Sequence, residues 1–384
     1  MSEFITSSSP KMLVIHRALA PYRIDLFNAL YQHYGCDIYF EEGSAENHTF
    51  QSQILQERIH FPYRFLKSGR GGIKNLRTEI LSIAEQGQYS IVLTSEINLT
   101  TLLAWFAKKR SHSPCRLISI VDDSLSIAEE ETRKRFSLKK LLFKKGWIDG
   151  VLLCDSRTQT HYTKQWGRPD MYHTLPIIQS ETWIRDRLPS LCNRAQTLRS
   201  QYVRDEKDRV LLYVGRLSPE KNLPLLIQVF CKTFAQTEHI HLLLVGDGPQ
   251  ESTLRQQARE SLCSSRIHFA GRKEGDDLYS HYLLADVFVL ASCLERFGAV
   301  ANEALIIGIP SVISTATGIR SMLSEESGKI VFFDPLSQTE MATALRKVLE
   351  EIPTWQACRP SLMPSTLDTL LPDLYNFLEG NDKD

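Results

Sequence analysis

The chain lacks net charge: its 384 residues carry 45 lysines and arginines against 45 aspartates and glutamates. That balance gives no electrostatic footprint for nucleic acid and no reason to expect a strongly acidic partner. It also lacks any run of 18 apolar residues, so no membrane-spanning helix is expected. The opening MSEFITSSSPK does not have the basic-then-apolar order of a secretory leader, which points to a cytoplasmic protein, and Ser7, Ser8 and Ser9 read as a frayed end. Its eight cysteines (Cys36, Cys115, Cys154, Cys192, Cys231, Cys263, Cys293, Cys358) never take CxxC spacing. Reduced, mostly buried thiols are therefore expected rather than a zinc site or a disulfide framework. No GxGxxG follows the first strand, which disfavours an NAD-binding turn. Repeats and low-complexity tracts are absent as well. What remains is a globular chain, 42% hydrophobic and long enough for two domains with separate cores.

The most informative stretch is Leu290 to Pro310, LASCLERFGAVANEALIIGIP. Residues 287–290 form a short apolar run of the kind found in buried parallel strands. Glu295, Arg296, Phe297 and Gly298 then make a polar loop with one aromatic, and residues 299–307 have helical apolar spacing. Gly298 lets the backbone approach a ligand closely, and the N–H groups opening the helix at Ala299 and Val300 form an anion site. Glu295 and Glu303 stand eight positions apart. A carboxylate accepts from two neighbouring hydroxyls at once, so such a pair suits a hydroxyl-rich ligand. Taken alone, the same residues also fit a loop acid followed by a solvated helix acid.

Strands and helices alternate before and after this stretch, as in βαβ units. In the first half, strands are expected at 11–17, 36–40, 91–94, 116–121 and 151–154. Helices are expected at 24–34, 76–84, 99–109 and 156–166. Residues 41–72 are less regular, with Ser68-Gly69-Arg70-Gly71-Gly72 as their most flexible point. Residues 133–147, RKRFSLKKLLFKKGW, set seven basic side chains among apolar ones. A basic amphipathic helix there fits an anionic membrane surface, or else a sheet-packed helix with solvated lysines. In the second half, strand 210–214 runs into Gly215-Arg216-Leu217-Ser218-Pro219-Glu220-Lys221-Asn222, and Pro224 opens a helix. A glycine turn, two cations and a helix N-terminus make a place for a diphosphate; salt-bridged surface residues are the alternative. Gly246-Asp247-Gly248-Pro249 reads as a structural turn.

The run from Glu295 to Ala304, with Gly308-Ile309-Pro310 and Thr317-Gly318-Ile319 after it, resembles the E-x7-E nucleotide-sugar site of retaining glycosyltransferases of family 4, in their bacterial polysaccharide-type branch. GRLSPEKN resembles that family's donor-phosphate segment, and PYRIDLFNAL at 21–30 resembles the branch's PYRxxLFNxL opening. The resemblance implies an α/β chain of GT-B fold, two facing Rossmann-like βαβ domains with a deep interdomain cleft. Its parts would be an acceptor-side domain at 1–185, a linker at 186–207, a nucleotide-sugar domain at 208–360 and a segment at 361–384 recrossing to the first domain. It also implies retaining transfer from a nucleotide-sugar donor to a hydroxyl on a glycan or lipid-linked glycan, with no cofactor and no metal.

Arg216, Lys221 and the helix after Gly298 would then stabilise the departing diphosphate, whose phosphate oxygen takes the acceptor's proton. Glu303 would hold the ribose hydroxyls and Glu295 would lie near the transferred sugar. By the same resemblance Gly215, Phe297, Gly298, Ala299 and Val300 would complete the donor set, and Arg272 and Lys273 would lie in the region that flanks the base. Tyr22, Arg23, Asp122 and Asp123 are the acceptor-side candidates. The family's glycine pair is missing from the first turn, and Asp122-Asp123 stand where many relatives place a histidine. An epimerase or phosphorylase on the same fold, or a nonenzymatic scaffold, are the competing readings. The basic stretch would supply any peripheral contact with the inner face of a membrane.

Overall fold

Runs of three to seven residues, most of them rich in leucine, isoleucine and valine, become the strands of two all-parallel sheets, each covered by helices on both faces. The computed structural model describes residues 11–42, 53–67, 76–112, 114–325, 328–352 and 355–381. The glycine-arginine run at 68–72, the serines at 7–9 and Pro353 lie outside the described residues. The chain divides into two units, Met1–Gln179 with Leu367–Asp384, and Ser180–Thr366.

The first unit holds β1 (Met12–Ala18), β2 (Asp37–Glu42), β3 (Tyr63–Phe65), β4 (Ile91–Ser95), β5 (Arg116–Val121), β6 (Gly150–Leu153) and β7 (Tyr172–Thr174) in the order β3-β2-β1-β4-β5-β6-β7. Alternate residues of one strand feed different cores: Val14, Leu93 and Ile118 join one cluster, Leu13, Val92 and Leu117 the other. That two-sided burial explains why the strands read as unbroken apolar runs. The covering helices are α1 (Ile24–Tyr34), α2 (Gln53–Arg58), α3 (Glu79–Gln86), α4 (Leu99–Ser111), α5 (Leu125–Arg133), α6 (Leu138–Lys145) and α7 (Ser156–Trp166). The side chains of Asn98, Ser124, Ser137 and Asp155 accept backbone N–H groups at the starts of α4 to α7.

Residues 133–147 are not one amphipathic helix. Helix α5 ends at Arg133, Lys134 is extended, and Ser137 starts α6 by accepting from the Lys140 N–H at 3.2 Å. A serine side chain that satisfies backbone N–H groups favours a new helix start over helix interior. Lys139 is not a solvated lysine either; its ammonium is held by Asp123. Among the described residues no helix is long and apolar enough to cross a membrane.

The second unit begins with α8 (Glu181–Arg185) and α9 (Leu188–Tyr202), so a helix occupies most of the stretch read as a linker. Pro189 sits in the first turn of α9, where its missing N–H costs nothing. The strands are β8 (Arg209–Val214), β9 (Ile240–Val245), β10 (Ile267–Gly271), β11 (Val287–Leu290), β12 (Ser311–Ser314) and β13 (Ile330–Phe333), in the order β10-β9-β8-β11-β12-β13. Between and after them run α10 (Leu223–Thr233), α11 (Glu251–Glu260), α12 (Gly275–Leu283), α13 (Ala299–Ile307) and α14 (Gln338–Glu351). Chain order reverses between β8 and β11, the switch point where doubly wound sheets open a crevice beyond their strand C-termini.

The last helix, α15 (Leu367–Glu379), belongs to the first unit, with Leu374, Phe377 and Leu378 in the core beneath the sheet. It runs through Pro372. The apolar face it buries outweighs the single backbone hydrogen bond that proline removes.

Candidate functional site

The switch point of the second unit gathers the residues expected on the donor side. Strand β8 ends in Gly215, whose φ of 148° and missing side chain let the chain turn beside Tyr213; a Cβ there would stand 2.8 Å from the Tyr213 hydroxyl. That hydroxyl donates to the Arg216 carbonyl at 2.8 Å and fixes the turn. From the other side of the switch point, the Cys293 N–H donates to the Glu220 carbonyl at 2.9 Å, tying the loop after β8 to the loop after β11. Lys221 and Glu295, 74 positions apart in sequence, thereby meet as an ion pair. Arg216 is half-buried and its guanidinium makes no ion pair or hydrogen bond among the described residues.

Helix α13 opens at Gly298, which has φ 106° and no capping side chain. The Ala301 and Asn302 N–H groups turn back to the Gly298 carbonyl, whereas Ala299 and Val300 keep theirs uncapped among the described residues. These are the orphan donors, with the positive end of the helix dipole behind them, that attract an anion. The loop before the helix is docked on residues 317–319. Glu295 forms a parallel bridge with Thr317, and Ile319 N–H donates to the Phe297 carbonyl at 2.8 Å. Phe297 is 1% exposed, so its ring anchors the loop in the core. Glu303, one turn inside α13, accepts from the buried Tyr282 hydroxyl at 2.8 Å. Burial, with the Glu303 charge beside it, pushes the Tyr282 phenol well above its ordinary range.

Tyr282 is a residue the sequence pattern did not mark, since it reads as one more apolar position of α12. Tyr282→Phe removes the hydroxyl that orients Glu303 without opening a cavity. A hydrogen bond to a charged group contributes about 1.5–3 kcal/mol, so the donor KM should rise about tenfold with a smaller change in kcat. Steady-state kinetics against Glu303→Gln check this, the two variants moving KM in the same direction.

The turn Gly246-Asp247-Gly248 is a support for the site. Leu217 N–H donates to the Asp247 carbonyl at 2.7 Å and Gly215 N–H to the Val245 carbonyl at 3.0 Å. Gly246 lies so close that a Cβ on it would fall 1.9 Å from the Gly215 carbonyl oxygen. Arg272 follows β10 and is exposed, bonded through Nε and Nη2 to Glu274 at 3.0 and 2.6 Å; Lys273 is half-buried beside it.

The acceptor-side candidates all lie in the first unit, and the two aspartates part ways. Asp123 is buried and takes Lys139 Nζ at 2.6 and 2.8 Å and the Tyr162 hydroxyl at 2.6 Å, a closed structural cluster. Asp122 pairs instead with Arg23, which is 1% exposed rather than a surface arginine. Among the described residues Arg23 Nε has no hydrogen-bond partner. Tyr22 is half-buried in the single turn of 3-10 helix that replaces a glycine turn before α1. Burial, with the Arg23 charge adding to it, pushes His16 down to about 4. Its neutral ring donates from Nδ1 to the Ala18 carbonyl at 2.9 Å. Among the described residues no cluster of three or more His, Cys, Asp or Glu side chains is placed to hold a metal ion.

Two doubly wound parallel units, one of them carrying cations and an open helix N-terminus at its switch point, are the architecture of the GT-B class. Residues 195–360 match the model of the family Glycosyl transferases group 1. The chain is 32% identical over 161 residues to sulfoquinovosyl transferase SQD2 of Arabidopsis thaliana, covering 41% of this chain and 30% of that protein. It is 26% identical over 246 residues to a GDP-mannose-dependent alpha-(1-6)-phosphatidylinositol monomannoside mannosyltransferase of Mycobacterium tuberculosis, covering 61% and 62%. It thus spans less than two thirds of either relative's length. The crystal structure of Anabaena Alr3699/HepE in complex with UDP shares the fold, with a TM-score of 0.68 at 17% identity over 89% of this chain and 90% of that one.

Proposed function

We propose that the chain is a retaining glycosyltransferase of family 4 that moves a sugar from a nucleoside diphosphate sugar to a hydroxyl of a glycan or lipid-linked glycan. The observation that carries this reading is the convergence of Arg216, the Lys221–Glu295 pair and the uncapped start of α13 at one switch point. As the bond from the anomeric carbon to the phosphate oxygen breaks, charge grows on the diphosphate. Two side-chain cations and a helix N-terminus oppose that charge, which is the work a metal does elsewhere. Lys221 is held ready by Glu295, and a bound diphosphate draws the ammonium toward itself, leaving Glu295 to accept a hydroxyl of the transferred sugar. Glu303, oriented by Tyr282, accepts from the two ribose hydroxyls. A phosphate oxygen on the leaving group takes the acceptor proton on the face where the new bond forms. The UDP bound to the Anabaena structure and the GDP-mannose named for the mycobacterial relative are both nucleoside diphosphate compounds, which supports this choice of donor class.

Transfer by protein cations alone should survive chelation. With UDP-, GDP- and dTDP-sugars offered in turn, release of nucleoside diphosphate from the best donor should proceed at the same rate with and without EDTA. Loss of activity with EDTA, regained with Mg²⁺ or Mn²⁺, counts against the scheme.

A lipid-linked acceptor is favoured by a particular patch. Phe136 is 77% exposed, with exposed Arg133, Lys134 and Arg135 before it and exposed Lys144 and Lys145 at the end of α6. An exposed ring among cations suits the headgroup region of an anionic bilayer. Each basic residue near such a surface contributes about 1 kcal/mol, so changing Arg133, Arg135, Lys144 and Lys145 to glutamate should weaken vesicle binding by about a thousandfold or more. Co-sedimentation with phosphatidylglycerol vesicles in low salt reads this out, and wild type that stays in the supernatant refutes it.

A further inference from the structure

The search for a site outside the donor crevice leads to two cysteines of the second unit. Cys192 on α9 and Cys358 on the segment after α14 bring their sulfurs to 3.0 Å, though 166 positions apart in sequence. Cys192 is partly exposed and Cys358 exposed, whereas Cys36, Cys115, Cys154 and Cys263 are buried. A disulfide bond is about 2.05 Å long, so closing this one asks for a side-chain adjustment of about 1 Å.

The segment that carries Cys358 is a strap beneath the donor helix. Trp355 Nε1 donates to the Leu283 carbonyl at 3.0 Å, and Arg359 Nη2 to the Ala285 carbonyl at 2.6 Å. Leu362 N–H donates to the Leu305 carbonyl at 2.8 Å, and Arg185 joins the Ile306 and Arg359 carbonyls at 2.9 and 3.1 Å. Gly308, which ends α13, has the strap against it: a Cβ there would fall 2.2 Å from the Pro360 carbonyl. On the other side, Arg199 of α9 lies over the Trp355 ring.

We propose that Cys192 and Cys358 are a redox-active pair that closes to a disulfide in the presence of a small disulfide oxidant such as oxidised glutathione, locking the strap to α9 behind the donor helix. Cys358, the more exposed, attacks first as its thiolate, forming a mixed disulfide and releasing one glutathione thiolate. Cys192 then attacks the Cys358 sulfur and releases the second. The two cysteine thiols lose two protons and two electrons, and one oxidised glutathione becomes two reduced molecules. Burial, and Cys358 beside it, hold the Cys192 thiol up at about 11, which keeps it from reacting first and leaves it as the resolving partner. A covalent tie across so long a loop restricts the unfolded chain and stabilises the native one.

The test uses the full chain in glutathione buffers of graded redox ratio, followed by alkylation, non-reducing digestion and mass spectrometry. In the oxidised buffer a peptide pair joined through Cys192 and Cys358 should appear, the melting temperature should rise by roughly 5 °C, and dithiothreitol should reverse both. Cys192→Ser and Cys358→Ser should each lose the joined peptide and the shift, and Cys192→Ser should carry glutathione on Cys358 instead. Cys293, also exposed, is the internal comparison and should bind glutathione in every variant. Both thiols remaining free of each other while Cys293 is fully modified overturns the pair. None of these readouts depends on which reaction the chain catalyses.

Discussion

Arg216→Ala should lower turnover by roughly 100-fold or more, the usual loss when one electrostatic stabiliser of a transition state is removed. Its melting temperature should stay near that of wild type. Both halves follow from the same observation: the guanidinium has no partner among the described residues, so its removal strands no buried group. Lys221→Ala should cost turnover at least as much, and donor affinity besides. Without the ammonium, Glu295 keeps its carboxylate next to where the diphosphate would lie, and two like charges then face each other. Measuring kcat, KM and melting temperature for both variants separates these effects. Normal turnover in both would mean that transfer does not occur at this switch point.

Gly246→Ala should be the most damaging single methyl group in the second unit. The added Cβ would sit 1.9 Å from the Gly215 carbonyl oxygen, in a backbone with φ 141° that L residues rarely adopt. Backbone cannot yield as a long side chain does, so either the turn or the Gly215 loop must move. Strain of this kind costs on the order of 2–4 kcal/mol. Because Gly215 leads into Arg216, donor affinity should fall with stability. Gly35→Ala supplies the comparison: φ is 62°, yet nothing stands within 4 Å of the new Cβ. Left-handed strain alone should cost that variant about 1 kcal/mol and leave the donor KM unchanged. Urea unfolding and donor KM on the pair decide the matter, and a Gly246→Ala protein that folds and binds donor like wild type contradicts the bracing role.

The segment from β11 into α13 was legible because its requirements are local. A short apolar strand, a glycine where φ reaches 106° and a helix with small residues at its start are all written within about twenty positions. The alternation of strands and helices was legible for the same reason, as was the glycine turn after β8. Tyr213 and Tyr282 were not, because each looks like an ordinary core residue until the turn at Arg216 or helix α13 is placed against its hydroxyl. Phe297 misled in the opposite sense: an aromatic in a polar loop looks available to a ligand, but the turn at 317–319 shuts over it. Asp122 and Asp123 are indistinguishable as neighbours in a sequence. The fold sends one toward Arg23 and the other into the Lys139–Tyr162 cluster. The start of α15 was masked by Pro372, where buried apolar side chains overrode the local signal.

The central claim is that protein cations at the end of β8, with the start of α13, hold a nucleoside diphosphate without a metal. Calorimetric titration of UDP and GDP in EDTA into wild type and Arg216→Ala tests it directly. At least one nucleotide should bind wild type, and Arg216→Ala should bind it about tenfold more weakly or worse, a difference of about 1.4 kcal/mol. Equal binding by the two proteins, or no binding of either nucleotide to wild type, would contradict the account.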